Sequence, residues 1–336
     1  MKVLFDHPHP FLLAHGGLQI QIERTKAALE SIGLEVEFLR WWDADQRGDL
    51  IHYFGVPRPS YLEQSHLCRL PAVMTTLFSA TCNRPDWKIT LQGAIIDWIL
   101  RLPMGAGVKE QLNWQTYRSC PRILVGLEAE RQVAVRAFGA HPSAVSIVPL
   151  GLAEAYLKAG PGRRQDDHLI CTGTITPVKR IPELALMAKE SKVPILFVGK
   201  PFHPDDSYWH RFKSLIDGKY VKYHPHVSAI DEMIGLYHGA KGFVLFSQYE
   251  NWSLSSSEAV ACGLPLLLPD RKWSRERFGV QVRYFPGDGH EENIEMLQQF
   301  YRDAPSLSPP AIKLWSWSEV AVRLREIYES VVNSSR

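Results

Sequence analysis

The sequence predicts an α/β fold built from two doubly wound domains in tandem. The chain has 336 residues, more than one ordinary compact core holds. Short apolar runs alternate with segments of helical periodicity, which is the pattern of parallel βαβ units. A stretch rich in glycine, proline and charge interrupts this alternation at residues 149–167, where we place the linker between the domains.

Each half carries its own set of predicted elements. Strands are predicted at 2–5, 34–39, 50–54, 72–77, 123–125 and 145–148, and helices at 18–32, 89–100 and 128–138. After the break, strands are predicted at 169–172, 195–198, 220–223, 243–246 and 264–268, and helices at 181–190, 208–216, 229–237, 255–261 and 291–301. A last helix opens near 315 with Ser318 as its N-cap. The expected domains are 1–155 and 165–312, followed by a closing helix at 313–336.

Composition narrows the class of protein. A hydrophobic fraction of 45% with 22% charged residues indicates a globular protein, and the net charge of +2 argues against a nucleic-acid partner. No apolar run approaches the roughly 18 residues that span a bilayer, and the first residues predict a strand, not a signal peptide. Five scattered cysteines lack metal-site spacing and indicate reduced thiols. We therefore expect a cytoplasmic protein without a metal.

Two glutamates eight residues apart are the most informative motif. Glu250 follows an apolar strand, and Glu258 lies in the first turns of the next predicted helix. Ligands of open α/β sheets bind beyond the carboxyl ends of the strands. There, carboxylates can accept hydrogen bonds from sugar hydroxyls, and the N-termini of helices can bind phosphate. The alternative is structural: Ser255 and Glu258 fit a capping box, and Glu250 is then an ordinary loop carboxylate.

Glycines mark two further strand-to-helix turns. Gly16 and Gly17, preceded by His15, allow the backbone to approach a ligand at the start of the first helix, although a flexible turn has the same sequence. The dinucleotide pattern G-x-G-x-x-G is absent, which disfavours a Rossmann dehydrogenase. Gly199 stands at the end of a strand in the second half.

A basic turn lies between a strand and a helix in the second half. It contains Gly173 and Thr174 and ends on Lys179 and Arg180. Cations at a helix start are unfavourable against the helix dipole, which suggests an anionic partner such as phosphate; two solvated cations are the alternative. His226 and Val227 follow another strand end, where loops commonly hold a nucleobase through backbone groups.

The ordered set of motifs resembles retaining glycosyltransferases of the GT-B fold, of the glycosyltransferase family 4 kind. The resemblance covers essentially the whole chain and is strongest over 169–269. It rests on Gly16-Gly17, residues 145–151 before the linker, Gly173 through Lys179, Val198-Gly199, the glutamate pair with 259–265, and the terminal helix from Trp317. It implies two lobes facing across a cleft, with the terminal helix crossing back to the N-terminal domain.

The resemblance also implies roles for these residues. Lys179 stabilises the diphosphate leaving group, Glu250 binds donor-sugar hydroxyls, Glu258 holds the ribose, and Gly17 approaches the diphosphate or acceptor. Backbone amides that contact the sugar or diphosphate belong to Asn251, Trp252, Ser253 and Leu254. The donor is a UDP- or GDP-sugar, the acceptor is a hydroxyl of a glycan, lipid-linked glycan or small molecule, and no metal or other cofactor is needed. The mechanism is front-side displacement with retention.

Three positions depart from the family pattern. Thr174 replaces an arginine of the usual cationic pair, and Arg180 is the available substitute. No histidine follows the strand at 72–77, so His15 and Ser79 are the candidates for a catalytic group in the first domain. Leu150 replaces an asparagine. These departures keep open a non-catalytic sugar-nucleotide-binding subunit, and the fold also admits a nucleotide-sugar epimerase.

The apolar stretch 94–104 has two interpretations. It is either a buried helix of the first domain or a surface that touches a lipid-linked acceptor or the inner face of a membrane. The oligomeric state is not predicted.

Overall fold

The computed structural model describes residues 1–12, 16–103, 105–287 and 289–335. Its strands are β1 Lys2–Asp6, β2 Glu35–Phe38, β3 Leu50–Phe54, β4 Ala72–Thr75, β5 Arg122–Val125, β6 Val145–Ile147, β7 Leu169–Thr172, β8 Ile195–Val198, β9 Val221–His224, β10 Phe243–Val244, β11 Leu266–Pro269 and β12 Arg283–Phe285. Its helices are α1 Gly17–Ser31, α2 Pro59–Leu67, α3 Asp86–Arg101, α4 Ala106–Leu112, α5 Thr116–Ser119, α6 Glu128–Arg136, α7 Glu154–Ala159, α8 Ile181–Ser191, α9 Ser207–Lys213, α10 Ile230–Gly239, α11 Leu254–Ala261, α12 Lys272–Phe278, α13 His290–Asp303 and α14 Trp317–Ser335.

The chain divides into two compact units. The first comprises Met1–Gly151 together with the segment that begins at Trp317, and the second comprises Leu152–Ser316. Each unit holds a six-stranded parallel sheet, in the order β2-β1-β3-β4-β5-β6 and β12-β11-β10-β7-β8-β9 respectively. The two doubly wound α/β units that the sequence predicts are therefore present.

Helix α14 belongs to the first unit, as the resemblance implies. It packs against α1, and Tyr328 places its hydroxyl 2.7 Å from His52 Nδ1 in β3. The other ring nitrogen of His52 lies 2.7 Å from Thr75 Oγ1 in β4. Burial lowers the pKa of His52 to about 3, so this histidine is a neutral, hydrogen-bonded part of the core.

Two local predictions are wrong. The linker expected at 149–167 includes the observed boundary between Gly151 and Leu152, but the rest of that segment is not a linker. It contains α7, which packs against α10 and α11 of the second unit. Ser318 is not an N-cap, because α14 begins at Trp317 and places Ser318 in its first turn. Helices α2, α4, α5 and α12 and strand β12 were not predicted; they are short, and their apolar positions show no clear period.

Candidate functional site

The order of the second sheet creates a crevice beside β7. From β7 the chain moves outward through β8 and β9, and it then returns to the opposite side of β7 at β10. The loops after β7 and β10 therefore leave neighbouring strands in opposite directions. Ligands of open α/β sheets bind at such a switch point, beyond the carboxyl ends of the strands. The basic turn at 173–180 and the loop of Glu250 are these two loops.

Three contacts join the two loops. The amide of Gln248 donates to the carbonyl of Val178 at 2.7 Å. The guanidinium of Arg180 lies over the ring of Phe246, 4.3 Å from its centroid. Lys179 Nζ donates to Glu250 Oε1 in an ion pair whose side chains are only 21% and 12% exposed. Two residues that the sequence assigns to one donor site thus touch at the switch point.

Glu258 lies in α11, half-buried beside the buried ring of Tyr237. The Tyr237 hydroxyl lies 3.0 Å from Glu258 Oε2 and 2.8 Å from Thr172 Oγ1 at the end of β7. Burial raises the pKa of Glu258 to about 7, and the hydrogen bond from Tyr237 opposes this rise only in part. A carboxyl group that titrates near neutrality beside a strand end is typical of a functional site.

The capping-box interpretation of Glu258 is wrong. The N-cap of α11 is Ser253 and not Ser255, and the Glu258 carboxylate meets a tyrosine hydroxyl. Ser253 itself has left-handed backbone angles, φ 53° and ψ 78°, which cost a non-glycine residue about 1 kcal/mol. Such strain is commonly stored at functional loops. The first amides of a helix have no intrahelical acceptor, so those of α11 can donate hydrogen bonds to a ligand.

Trp252 is buried beside this helix start, and Arg277 of α12 covers it. The guanidinium of Arg277 lies 4.3 Å from the Trp252 ring centroid. Burial lowers the pKa of Arg277 to about 10, and its Nε has no hydrogen-bond partner among the described residues. Sequence analysis missed Arg277 and Tyr237. Neither residue belongs to a recognisable motif, and only the folded structure brings them into contact with Trp252 and Glu258.

Gly173 and Gly199 have a packing role. A Cβ at Gly199 would lie 2.0 Å from the carbonyl oxygen of Gly173, so only glycine allows these two strand ends to approach. In the same contact, the amide of Gly173 donates a hydrogen bond to the carbonyl of Val198 at 3.1 Å. Close packing of the loops therefore accounts for Gly199 without a ligand. Thr174 lies in this turn and is half-buried.

The loop after β9 stands at the same edge of the sheet. Gly199 donates its amide to the carbonyl of His224 at 3.2 Å, which joins the ends of β8 and β9. His226 is exposed, and partial burial together with the charge of Lys200 lowers its pKa. Val227 is half-buried beside it. The predicted nucleobase role of His226 and Val227 stays a prediction.

In the first unit, the residues at the start of α1 are open. Gly16 has φ +135°, which favours glycine, and a Cβ at Gly16 or Gly17 would meet nothing within 4 Å. His15 lies outside the described residues. Asp6, the last residue of β1, is buried and accepts a hydrogen bond from the Tyr61 hydroxyl at 2.7 Å. Sequence analysis missed this carboxylate, and Ser79 stays a candidate only.

Among the described residues, no three or more His, Cys, Asp or Glu side chains are grouped so that they could hold a metal ion. Metal independence remains a prediction. None of the helices within the described ranges has both the length and the apolar character to cross a membrane.

Solved structures share this architecture over the whole chain. Sucrose-phosphate synthase from Thermosynechococcus elongatus aligns with a TM-score of 0.69 at 14% identity, over 99% of this chain and 100% of that one. HepE from Anabaena, solved with UDP-glucose, aligns with a TM-score of 0.63 at 13% identity, over 100% and 97%. A glycosyltransferase from Rickettsia africae aligns with a TM-score of 0.63 at 12% identity, over 98% of each chain. The chain therefore has the GT-B fold of glycosyltransferases, which confirms the predicted fold class.

A curated protein is similar to part of this chain. D-inositol 3-phosphate glycosyltransferase from Kineococcus radiotolerans is 27% identical, over 49% of this chain and 42% of that protein. The chain thus spans less than half the length of this relative. No protein-family profile matches the chain.

Proposed function

We propose that this protein is a retaining glycosyltransferase that moves a sugar from a nucleotide diphosphate donor to a hydroxyl acceptor without a metal. The observation that carries the proposal is the assembly of Lys179, Glu250 and Glu258 at the switch point of the second sheet. This assembly offers one cation for a diphosphate and two carboxylates for hydroxyl groups. The similarity to HepE, solved with UDP-glucose, and to a D-inositol 3-phosphate glycosyltransferase supports it.

The chemistry follows from these groups. The bond between the anomeric carbon and the donor phosphate oxygen breaks, and the acceptor oxygen bonds to the anomeric carbon on the same face. The departing phosphate takes the proton of the acceptor hydroxyl. Negative charge grows on the diphosphate in this step, and Lys179 together with the N-terminus of α11 stabilises that charge. Glu250 orients the sugar through its hydroxyls, and Glu258 holds the ribose.

A ligand panel tests donor binding. We expect UDP, GDP or one of their sugars at about 100 times its Kd to stabilise the protein by about 2.7 kcal/mol. For units of this size that corresponds to a rise in Tm of about 5–10 °C, measured by thermal shift. Nucleoside monophosphates are the control, because they lack the second phosphate. The absence of any shift with every nucleotide diphosphate at millimolar concentration would contradict the proposal.

One observation favours a second function, that of a non-catalytic sugar-nucleotide-binding subunit. Thr174 stands where relatives place an arginine, and Arg180 stacks on Phe246. The two functions differ in turnover. A transferase hydrolyses the nucleotide sugar that raises its Tm, or transfers the sugar to an acceptor. A non-catalytic subunit binds the same nucleotide sugar but leaves it intact with every acceptor offered.

A further inference from the structure

Helix α3 is fixed against the first unit by one face. Ile89 and Ile96 are buried in the core. A Cβ at Gly93 would lie 2.1 Å from the carbonyl oxygen of Arg136, so the helix rests directly on α6. A helix in such close contact cannot rotate about its axis without a clash. The orientation of its outer face is therefore determined.

The outer face carries an apolar stripe. Trp87, Leu91, Ile95 and Trp98 are 63%, 51%, 47% and 64% exposed. At 100° per residue these four positions fall within an arc of about 80°, directly opposite the buried face. Of the two interpretations of the stretch 94–104, the buried helix holds for Ile96 but not for the exposed Ile95 and Trp98. Scattered exposed apolar side chains need no explanation, but a continuous stripe with two tryptophans marks an interaction surface.

The charge around the stripe is positive. Lys88 and Arg101 lie on its two sides and are exposed. The acidic residues of the helix are paired by arginines of other elements, Asp97 by Arg118 and Asp86 by Arg136, whose Nη1 lies 3.8 Å from the carboxylate. Within the described residues, the face therefore presents apolar rings between two cations that no carboxylate of the helix pairs, which complements a surface of negative charge.

A groove of about 240 Å³ adjoins the stripe. Leu91, Ile95 and Trp114 line it together with Arg84 and Lys88. An apolar wall beside cationic side chains suits an acyl chain with an anionic headgroup. A protein partner would need carboxylates at defined positions to pair with these cations. A layer of anionic headgroups neutralises them in any position along the surface.

We propose that the outer face of α3 is a docking surface for a bilayer that carries anionic lipid headgroups. Helices with tryptophan and leucine on one face and lysine or arginine beside it lie in the membrane interface in this way. The stripe spans about 16 Å at 1.5 Å per residue, so the helix lies along the surface and does not cross it. This inference is independent of the proposed transferase activity.

Sedimentation with vesicles tests the proposal. The full chain is expected to bind vesicles of phosphatidylcholine with phosphatidylglycerol. Its affinity for pure phosphatidylcholine vesicles should be lower by about tenfold or more. The variant W87S/W98S should lose about tenfold or more of this binding, because its apolar anchors are removed. The variant K88Q/R101Q should lose about tenfold on anionic vesicles only, and its binding should respond less to salt.

A matched control is available on the same unit. Leu12 and Trp42 are 92% and 84% exposed. They follow β1 and β2 at one edge of the first sheet, whereas α3 packs against α6 between β5 and β6 at the other edge, so L12S/W42S should bind vesicles like the unchanged protein. Equal melting temperatures for all variants exclude misfolding. Failure of the unchanged protein to bind anionic vesicles, or equal binding by W87S/W98S, would overturn the proposal. A dimer that W87S/W98S converts to a monomer, without vesicle binding, would assign the face to a second copy instead.

Discussion

Replacing Lys179 with methionine is expected to lower sugar transfer by about 100-fold or more. The ammonium group of Lys179 lies in the turn after β7, where the proposed mechanism places the growing charge of the diphosphate. Loss of one preorganised donor to such a charge costs about 3–4 kcal/mol of the barrier. The methionine keeps the length of the side chain, so the loss reports charge and not shape. Initial rates at saturating donor measure the effect.

The ion pair with Glu250 supplies the control for this variant. Removing Lys179 alone leaves a largely buried carboxylate unpaired, which destabilises the fold by itself. The exchange K179E/E250K restores an ion pair in the reverse direction. If the pair only ties the two loops together, the exchange restores both Tm and turnover. We expect it to restore most of the Tm and none of the turnover, because the phosphate then meets a carboxylate.

The second large effect is expected at Glu258. Ribose hydroxyls donate to an ionised carboxylate, and the pKa of this group is raised to about 7. Affinity for a nucleotide sugar should therefore fall by up to about tenfold when the pH is lowered from 8 to 6. The variant E258Q should bind more weakly at pH 8 and show almost none of this pH dependence. Calorimetric titration with a nucleotide sugar measures both, since the diphosphate diester does not titrate in this range.

The stability of the fold should change with pH in the direction opposite to donor affinity, and rise as the pH is lowered. The folded-state pKa of Glu258 lies above the ordinary value of 4.5, so the folded protein holds a proton between about pH 4.5 and 7 that the unfolded chain releases. Glu258 therefore contributes fully to the free energy of unfolding below pH 4.5, and this contribution is lost as the pH rises through 7. The loss is on the order of 3 kcal/mol at pH 8. E258Q should therefore melt higher than the unchanged protein at pH 8. Lower stability at that pH would show that the carboxylate is structural.

Much of the fold was predictable because the strands are buried on both faces. Apolar runs such as Leu169–Thr172 and Leu50–Phe54 therefore stand out from their surroundings, and their predicted bounds coincide with the observed ones. Helix α7 was missed because it has only six residues and is flanked by Gly160 and Pro161, which suggest a linker. Tertiary contacts with α10 and α11 hold it, and sequence patterns do not show such contacts.

The candidate site was predictable as a list of residues but not as an arrangement. Lys179 and Glu250 are 71 residues apart, and they meet only because β10 pairs with β7. The contact of Tyr237 with Glu258 likewise depends on the packing of α10. Arg277 lies in a short helix that the sequence analysis did not predict, so its position over Trp252 could not be foreseen.

A crystal structure with the nucleotide diphosphate that raises the Tm most tests the central claim directly. We expect the two phosphates within hydrogen-bond distance of Lys179 and the first amides of α11, with the ribose hydroxyls on Glu258. A nucleotide bound elsewhere, with Lys179 still paired to Glu250 and Glu258 still on Tyr237, would contradict the claim.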